Sequence, residues 1–112
     1  MKYELKYYQE SLSGKEPVRE WLNLLDVLTR ARIHKRFERI RDGNWGEYRS
    51  LGSGLFEFKF NFGPGYRVYF GIDGESLILL LMGGDKSTQL RDINKACSNW
   101  QKQLEEKNGN RN

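Results

Sequence analysis

The chain opens on alternation. Tyr3-Glu4-Leu5-Lys6-Tyr7-Tyr8 sets apolar residues at nearly every second position, which predicts a strand. Ser11 to Lys15 reads as a turn, and Pro17 suits the first position of a helix. Val18, Trp21, Leu22, Leu25 and Leu28 then recur at the spacing of one helical face, predicting an amphipathic helix from Glu16 to about Leu28. Thr29 is the expected cap of a second helix, Arg30 to Asp42, with Ile33, Phe37 and Ile40 buried and Gly43 as its stop. Two helices so closely joined should form an antiparallel hairpin. Residues 44–52 predict a loop and a short strand.

Beyond Gly52 the period changes from 3.6 to 2. Leu55-Phe56-Glu57-Phe58-Lys59-Phe60-Asn61-Phe62 puts four phenylalanines on one face and Glu57, Lys59 and Asn61 on the other. Gly63-Pro64-Gly65 is a turn, Tyr66 to Ile72 a strand, and Asp73-Gly74 a strong hairpin signal leading into Glu75 to Met82. A three-residue Gly-Pro-Gly loop pairs Phe58 with Phe70, Asn61 with Arg67, Lys59 with Tyr69 and Glu57 with Gly71. A two-residue Asp73-Gly74 turn sets Leu77, Leu79 and Leu81 on the phenylalanine face and Ile78, Leu80 and Met82 on the Lys59/Arg67 face. That second face is expected to be open, polar and cationic over an apolar floor. The last strand is apolar on both sides, as a central or covered strand would be. After Gly83-Gly84, residues 85–88 form a turn and cap. Leu90, Ile93, Ala96, Cys97, Trp100 and Leu104 then predict a final amphipathic helix, with Cys97 buried as a small hydrophobe and residues 105–112 a frayed polar tail. The fold class is α+β, in a single domain over residues 1–104.

Composition narrows the function classes. At 112 residues there is room for one domain, and fifteen Phe, Trp and Tyr residues require a packed core. No apolar run approaches the roughly 20 residues that span a bilayer, and the first residues carry no secretory h-region. One cysteine forms no internal disulfide, which fits a reducing cytoplasm, and one His with one Cys leaves zinc chemistry nearly excluded. The net charge is only +4, but it is unevenly spread. Arg30, Arg32, Lys35, Arg36, Arg39 and Arg41 face a single acid, Glu38, over twelve residues. Such a stripe is either a solvated helix face or a surface for nucleic acid. His34, beside it, is read as a surface residue. Phosphate-loop and nucleophile-elbow motifs are absent. Lys59 and Arg67 share a sheet face on neighbouring strands, and Lys86 follows the last strand. This cation cluster suits a phosphate, and cross-strand charge balance with Glu57 and Asp85 accounts for it equally well.

The blocks Phe62-Gly63-Pro64-Gly65-Tyr66-Arg67-Val68-Tyr69-Phe70 and Leu79-Leu80-Leu81-Met82-Gly83-Gly84-Asp85-Lys86-Ser87, in a β-α-α-β-β-β-β order, resemble the RelE/ParE toxin superfamily. Within it the HigB-like, phage-derived addiction module killers are the nearest branch. The resemblance covers Tyr3 to Trp100 and implies a RelE-like domain, helical hairpin on an antiparallel sheet, acting as the toxin of a type II toxin–antitoxin module. RelE-like members imply an endoribonuclease that cleaves mRNA on the ribosome by metal-independent attack of the ribose 2′-OH. By that resemblance Lys59, Arg67 and Lys86 are the catalytic set: Lys59 or Glu57 helps remove the 2′ proton, Arg67 holds the phosphate and Lys86 protonates the leaving oxygen. Arg49, Glu57, Tyr69, Asp85 and Gln89 are expected to line the RNA site, and Arg32 and Arg36 to contact RNA from the basic stripe. No metal or cofactor is expected. The implied partners are the ribosome with its mRNA and a helix-turn-helix, HigA-like antitoxin, with no membrane. Two departures stand out: Glu57 where RelE has a second lysine, and Gln89, Leu90 and Arg91 where its tail helix has a stacking tyrosine. ParE-like gyrase inhibition, or a relative that only binds antitoxin or nucleic acid, are the alternatives.

Overall fold

Five strands build one mixed sheet. In the computed structural model, which describes residues 2–109, the strands are β1 (Glu4–Tyr7), β2 (Tyr48–Gly52), β3 (Leu55–Lys59), β4 (Arg67–Asp73) and β5 (Leu77–Gly84). Their spatial order is β1-β5-β4-β3-β2. β1 runs parallel to β5, and the other pairs are antiparallel. The sheet is therefore mixed rather than purely antiparallel as expected, because two helices carry the chain away after β1. β5 lies inside the sheet between β1 and β4, and its two apolar faces contribute to two separate cores.

Helices α1 (Pro17–Asn23) and α2 (Val27–Arg41) cover one face. Val18, Leu22, Ile33, Phe37 and Ile40 pack with Phe58, Phe60, Val68, Phe70, Ile78 and Leu80 into the first core. The helix boundary differs from the expected one. Asp26 rather than Thr29 is the cap: its Oδ2 accepts from the Thr29 N–H at 3.3 Å, so α2 starts at Val27 and α1 ends early. Leu28 thereby lands on an exposed face, and Leu25 is half-buried.

Helix α3 (Gln89–Gly109), entered through a 3-10 turn at Lys86–Thr88, covers the other face. Leu55, Tyr69, Leu79, Leu81, Ala96 and Trp100 form the second core there. The expected open face is in this region closed. Gly71 permits it, since a Cβ would lie 2.6 Å from the Trp100 ring. The helix continues through Gly109, beyond the expected start of a frayed tail at residue 105; residues 110–112 of that tail lie outside the described residues. Cys97 is exposed, contrary to expectation, as are Leu90 and Leu104, while Asp92 and Asn99 are buried. His34 is exposed as expected.

Register departs from expectation twice, with different consequences. β3 and β4 pair Lys59 with Arg67, Glu57 with Tyr69, and Phe58 with Val68. Residues 61–65 thus form the loop, two residues longer than expected, closed by the Phe60 N–H to the Tyr66 carbonyl at 2.9 Å. Phe62 leaves the ladder to pack under the Arg32 guanidinium, 3.8 Å from the ring centroid. A slip of two residues preserves both faces, and Phe58 still stacks diagonally on Phe70 with centroids 3.8 Å apart. β4 and β5 join through Gly74–Ser76, pairing Asp73 with Leu77. That odd shift inverts the assignment of β5: Ile78 and Leu80 face the phenylalanines, and Leu79 and Leu81 face α3. Met82 is on the expected side, because the ladder slips between Tyr69 and Phe70 and leaves Leu81 as the extra residue. Asn99 answers that irregularity, donating to the Leu81 carbonyl at 2.9 Å.

Candidate functional site

Where α3 begins, it no longer covers the sheet with apolar side chains. The positions facing it there are Glu57 and Lys59 on β3 and Arg67 on β4. Arg49 joins them from β2, directly opposite Glu57. Glu57 is only 1% exposed, an unusual burial for a carboxylate, and it is compensated from three sides. Arg49 Nε reaches Oε2 at 2.6 Å. Arg67 Nε stands 3.3 Å from Oε1, and Gln89 Nε2, in the first turn of α3, donates to the same oxygen at 3.2 Å. Arg67 is itself 7% exposed and is oriented by a 2.8 Å hydrogen bond from Nη1 to the Gly65 carbonyl. The expectation that it lies on an open surface is overturned.

These residues, with Glu47, Tyr48 and Lys59, line a cleft of about 330 Å³. Lys59 stands at its rim with Nζ 3.6 Å from Glu47 Oε2. The Glu47 carboxyl is held below the usual carboxylate range, chiefly by the Asn61 amide that donates to it at 3.1 Å, with Lys59 adding to the effect. Lys86 is exposed and does not line the cleft; it stands across Gly65, where an added Cβ would lie 3.2 Å from Arg67 Nη1 and 3.5 Å from the Lys86 Cβ. The structure thus assembles Arg49, Glu57, Lys59, Arg67 and Gln89, with Lys86 as an outlying neighbour.

Three expected RNA-contacting residues are engaged otherwise. Tyr69 is fully buried under α3 and cannot meet a substrate; burial, then the Glu57 and Asp92 carboxylates, push its phenol well above the usual range. Its hydroxyl has no hydrogen-bond partner among the described residues. Asp85 caps the 3-10 turn, accepting from the Ser87 N–H at 2.8 Å and from the Ser87 hydroxyl at 2.5 Å, and the hydroxyl above all lowers its carboxyl from the ordinary value. Arg36 is half-buried and gives its guanidinium to three carbonyls: Lys59, Trp45 at 3.1 Å and Glu47 at 2.5 Å. It braces the loop that delivers Glu47 and Tyr48, leaving Arg32, Lys35 and Arg39 as the cations bordering the α2 groove with Phe60 and Phe62. Burial lowers the Arg36 pKa from its ordinary value.

Sequence reasoning missed Glu47, Tyr48 and Trp45. Trp45 packs edge-on against Tyr3, Tyr48, Phe58 and Phe70 and closes the first core beside the cleft. The run Asn44-Trp45-Gly46-Glu47 has neither helical nor strand period, so its only signal was an aromatic residue inside a polar turn.

Over 77 residues the chain is 44% identical to an uncharacterized protein of Haemophilus influenzae, an alignment covering 68% of this chain and 78% of that protein. The chain belongs to the same family as this Haemophilus protein. No family model matches the chain. Among the described residues there is no group of His, Cys, Asp and Glu suited to a metal ion, and no helix is long and apolar enough to cross a membrane.

Proposed function

We propose that the chain is an endoribonuclease toxin of the RelE/ParE superfamily, HigB-like, whose centre is the Glu57–Arg67 pair. The observation that carries this reading is the buried Glu57 carboxylate bracketed by Arg49 and Arg67 in a cleft rimmed by Lys59. Two guanidiniums beside a desolvated carboxylate can exchange partners: an entering phosphodiester competes for both arginines and frees a Glu57 oxygen. That oxygen accepts the proton of the ribose 2′-OH. The 2′ oxygen bonds to phosphorus, the bond to the 5′ oxygen breaks, and Lys86 or a water molecule protonates the leaving oxygen. The products are a 2′,3′-cyclic phosphate and a 5′-hydroxyl. Lys59, already paired with Glu47, acts as a cation rather than as the base. The α2 groove with Arg32 and Lys35 supplies backbone contacts to ribosomal or messenger RNA.

A helix-turn-helix, HigA-like antitoxin would inhibit most directly by presenting a carboxylate at Lys86 and the cleft mouth. The apolar floor expected for its anchor is occupied by α3, so its apolar contacts lie elsewhere.

One observation favours a second reading, ParE-like binding to gyrase without hydrolysis: both arginines are already engaged by Glu57. Purified chain incubated with programmed ribosomes separates the two. Wild type should cut mRNA, and Glu57→Gln should cut about 10²–10³-fold more slowly, the usual loss on removing one positioned catalytic group. Equal rates would remove Glu57 from the reaction.

A further inference from the structure

On the far side of the 3-10 turn from the cleft lies a groove of opposite charge. It occupies about 400 Å³ between α1 and the junction of β5 with α3, and Pro17, Trp21, Leu24 and Met82 supply its apolar walls. Three carboxylates, Glu20, Asp85 and Asp92, line it against one cation, Arg91. Its floor is the backbone of Gly83 and Gly84, where a Cβ would collide with the Trp21 ring and with Asp92 Oδ2 respectively. Both glycines are thereby explained as the space that these two side chains occupy.

Asp92 is 1% exposed and only half satisfied. Oδ2 accepts from the Thr88 hydroxyl, whereas Oδ1 has no hydrogen-bond partner among the described residues. The exposed Arg91 Nε stands 3.7 Å from Oδ1, too long for a hydrogen bond. A buried carboxylate oxygen without a donor is costly, and a charged donor relieves it most strongly. Asp85 is engaged with Ser87, and Asp92 is ion-paired with Arg91 at 3.7 Å, a contact that an incoming guanidinium would replace, so Glu20 and Asp92 are the carboxylates that a ligand would meet. Leu24, 84% exposed, adds an uncovered apolar surface at the rim.

We infer that this groove receives an arginine side chain, flanked by an apolar residue, from a protein partner. A guanidinium presents the fork of donors that Asp92 Oδ1 and Glu20 lack, its methylenes suit the Pro17, Trp21 and Met82 walls, and a neighbouring leucine or similar residue covers Leu24. A hydrated inorganic cation would leave those walls uncovered. The inference does not depend on whether the Glu57 cleft cleaves RNA.

The probe is N-acetyl-leucyl-arginine amide, titrated into the ¹⁵N-labelled full chain and followed by NMR, with the citrulline dipeptide as the uncharged counterpart. The arginine probe should move the Trp21 indole signal and amides of residues 83–92 saturably, and the citrulline probe should bind about tenfold more weakly, the loss of one charge-assisted contact. Asp92→Asn should weaken the arginine probe by a similar factor, and Glu20→Gln, on an exposed side chain, about threefold. Equal binding of the two probes, shifts scattered outside the groove, or arginine binding unchanged in both variants overturns the proposal. Should Asp92→Asn fail to melt cooperatively, Glu20→Gln decides: weakened arginine binding upholds the site and unchanged binding removes it.

Discussion

The two faces of the sheet solve different problems with the same strands. The face under α1 and α2 is dry: every inward position from Phe58 to Leu80 is apolar, and aromatic rings fill it. The face under α3 is divided. Trp100, Ala96, Leu79 and Leu81 pack one end, and at the other Glu57 and Arg67 are buried as an ionic pair that the exposed Arg49 joins from β2. Tyr69 lies between them, an apolar ring with an unpaired hydroxyl. The first face provides stability; the second gives some of it up for a charged cleft. The comparison implies that removing a side chain of similar size should have different consequences on the two faces.

Phe58→Ala and Phe60→Ala should be the most destabilising. Both rings are fully buried, and each deletion should cost about 3–5 kcal/mol, read as a lower denaturant midpoint or insoluble protein. A soluble Phe58→Ala chain with unchanged melting would mean that this face is not the principal core.

Arg67→Ala should come next, and it should fail in two ways. Breaking a buried ion pair costs up to about 3–5 kcal/mol; here Arg49 and Gln89 still hold Glu57, so the loss should fall toward or below the lower end. Toxicity should disappear as well, with about 10²–10³ lost in cleavage rate. Glu57→Gln with Arg67 intact separates the effects, since it keeps the side-chain size and one acceptor oxygen, removes the charge and turns the other oxygen into a donor. Lys86→Ala, at an exposed position, should reduce cleavage without moving the melting temperature. For the partner, Lys86→Glu should weaken antitoxin binding if the cleft mouth is covered, whereas Arg32→Glu with Lys35→Glu should do so if α2 is. Arg36 is unsuitable for that test because it braces three carbonyls.

Much of the first face was legible and little of the second, for physical reasons. A two-residue slip between β3 and β4 leaves every side chain on its face, so the Phe stripe and the shared face of Lys59 and Arg67 survived a wrong loop length. A three-residue register shift at Asp73-Gly74, from an Ile72–Glu75 pair to Ile72–Ile78, inverted β5, because nothing in a run of leucines distinguishes its two faces. On α3, apolar spacing selected Leu90 and Cys97, which are exposed, since the helix buries Asp92 and Asn99 to serve Thr88 and the Leu81 carbonyl. The burial of Glu57 was invisible for the same reason: its compensation comes from Arg49 and Gln89, 8 and 32 residues away.

Tyr69→Phe should have the smallest effect, and its sign sharpens the contrast. Removing a buried hydroxyl that lacks a partner should leave stability unchanged or raise it by about 1 kcal/mol. The phenol's folded pKa lies above its unfolded value, so the native state retains a proton that the unfolded chain releases. Its contribution is therefore fully present below about pH 10 and is lost as pH rises beyond that. Wild type should lose stability above that pH more steeply than Tyr69→Phe. Parallel alkaline profiles would mean that the phenol is not held neutral by burial.

The central claim is that the ionic end of the α3 face cuts RNA. It is tested most directly by inducing wild type and Glu57→Gln in cells and mapping mRNA 5′ ends alongside plasmid supercoiling. New 5′-hydroxyl ends phased with codons in wild type, lost in a folded Glu57→Gln chain while supercoiling stays normal, are the predicted result. Gyrase-linked DNA breaks without new RNA ends, or identical RNA ends from both chains, would contradict it.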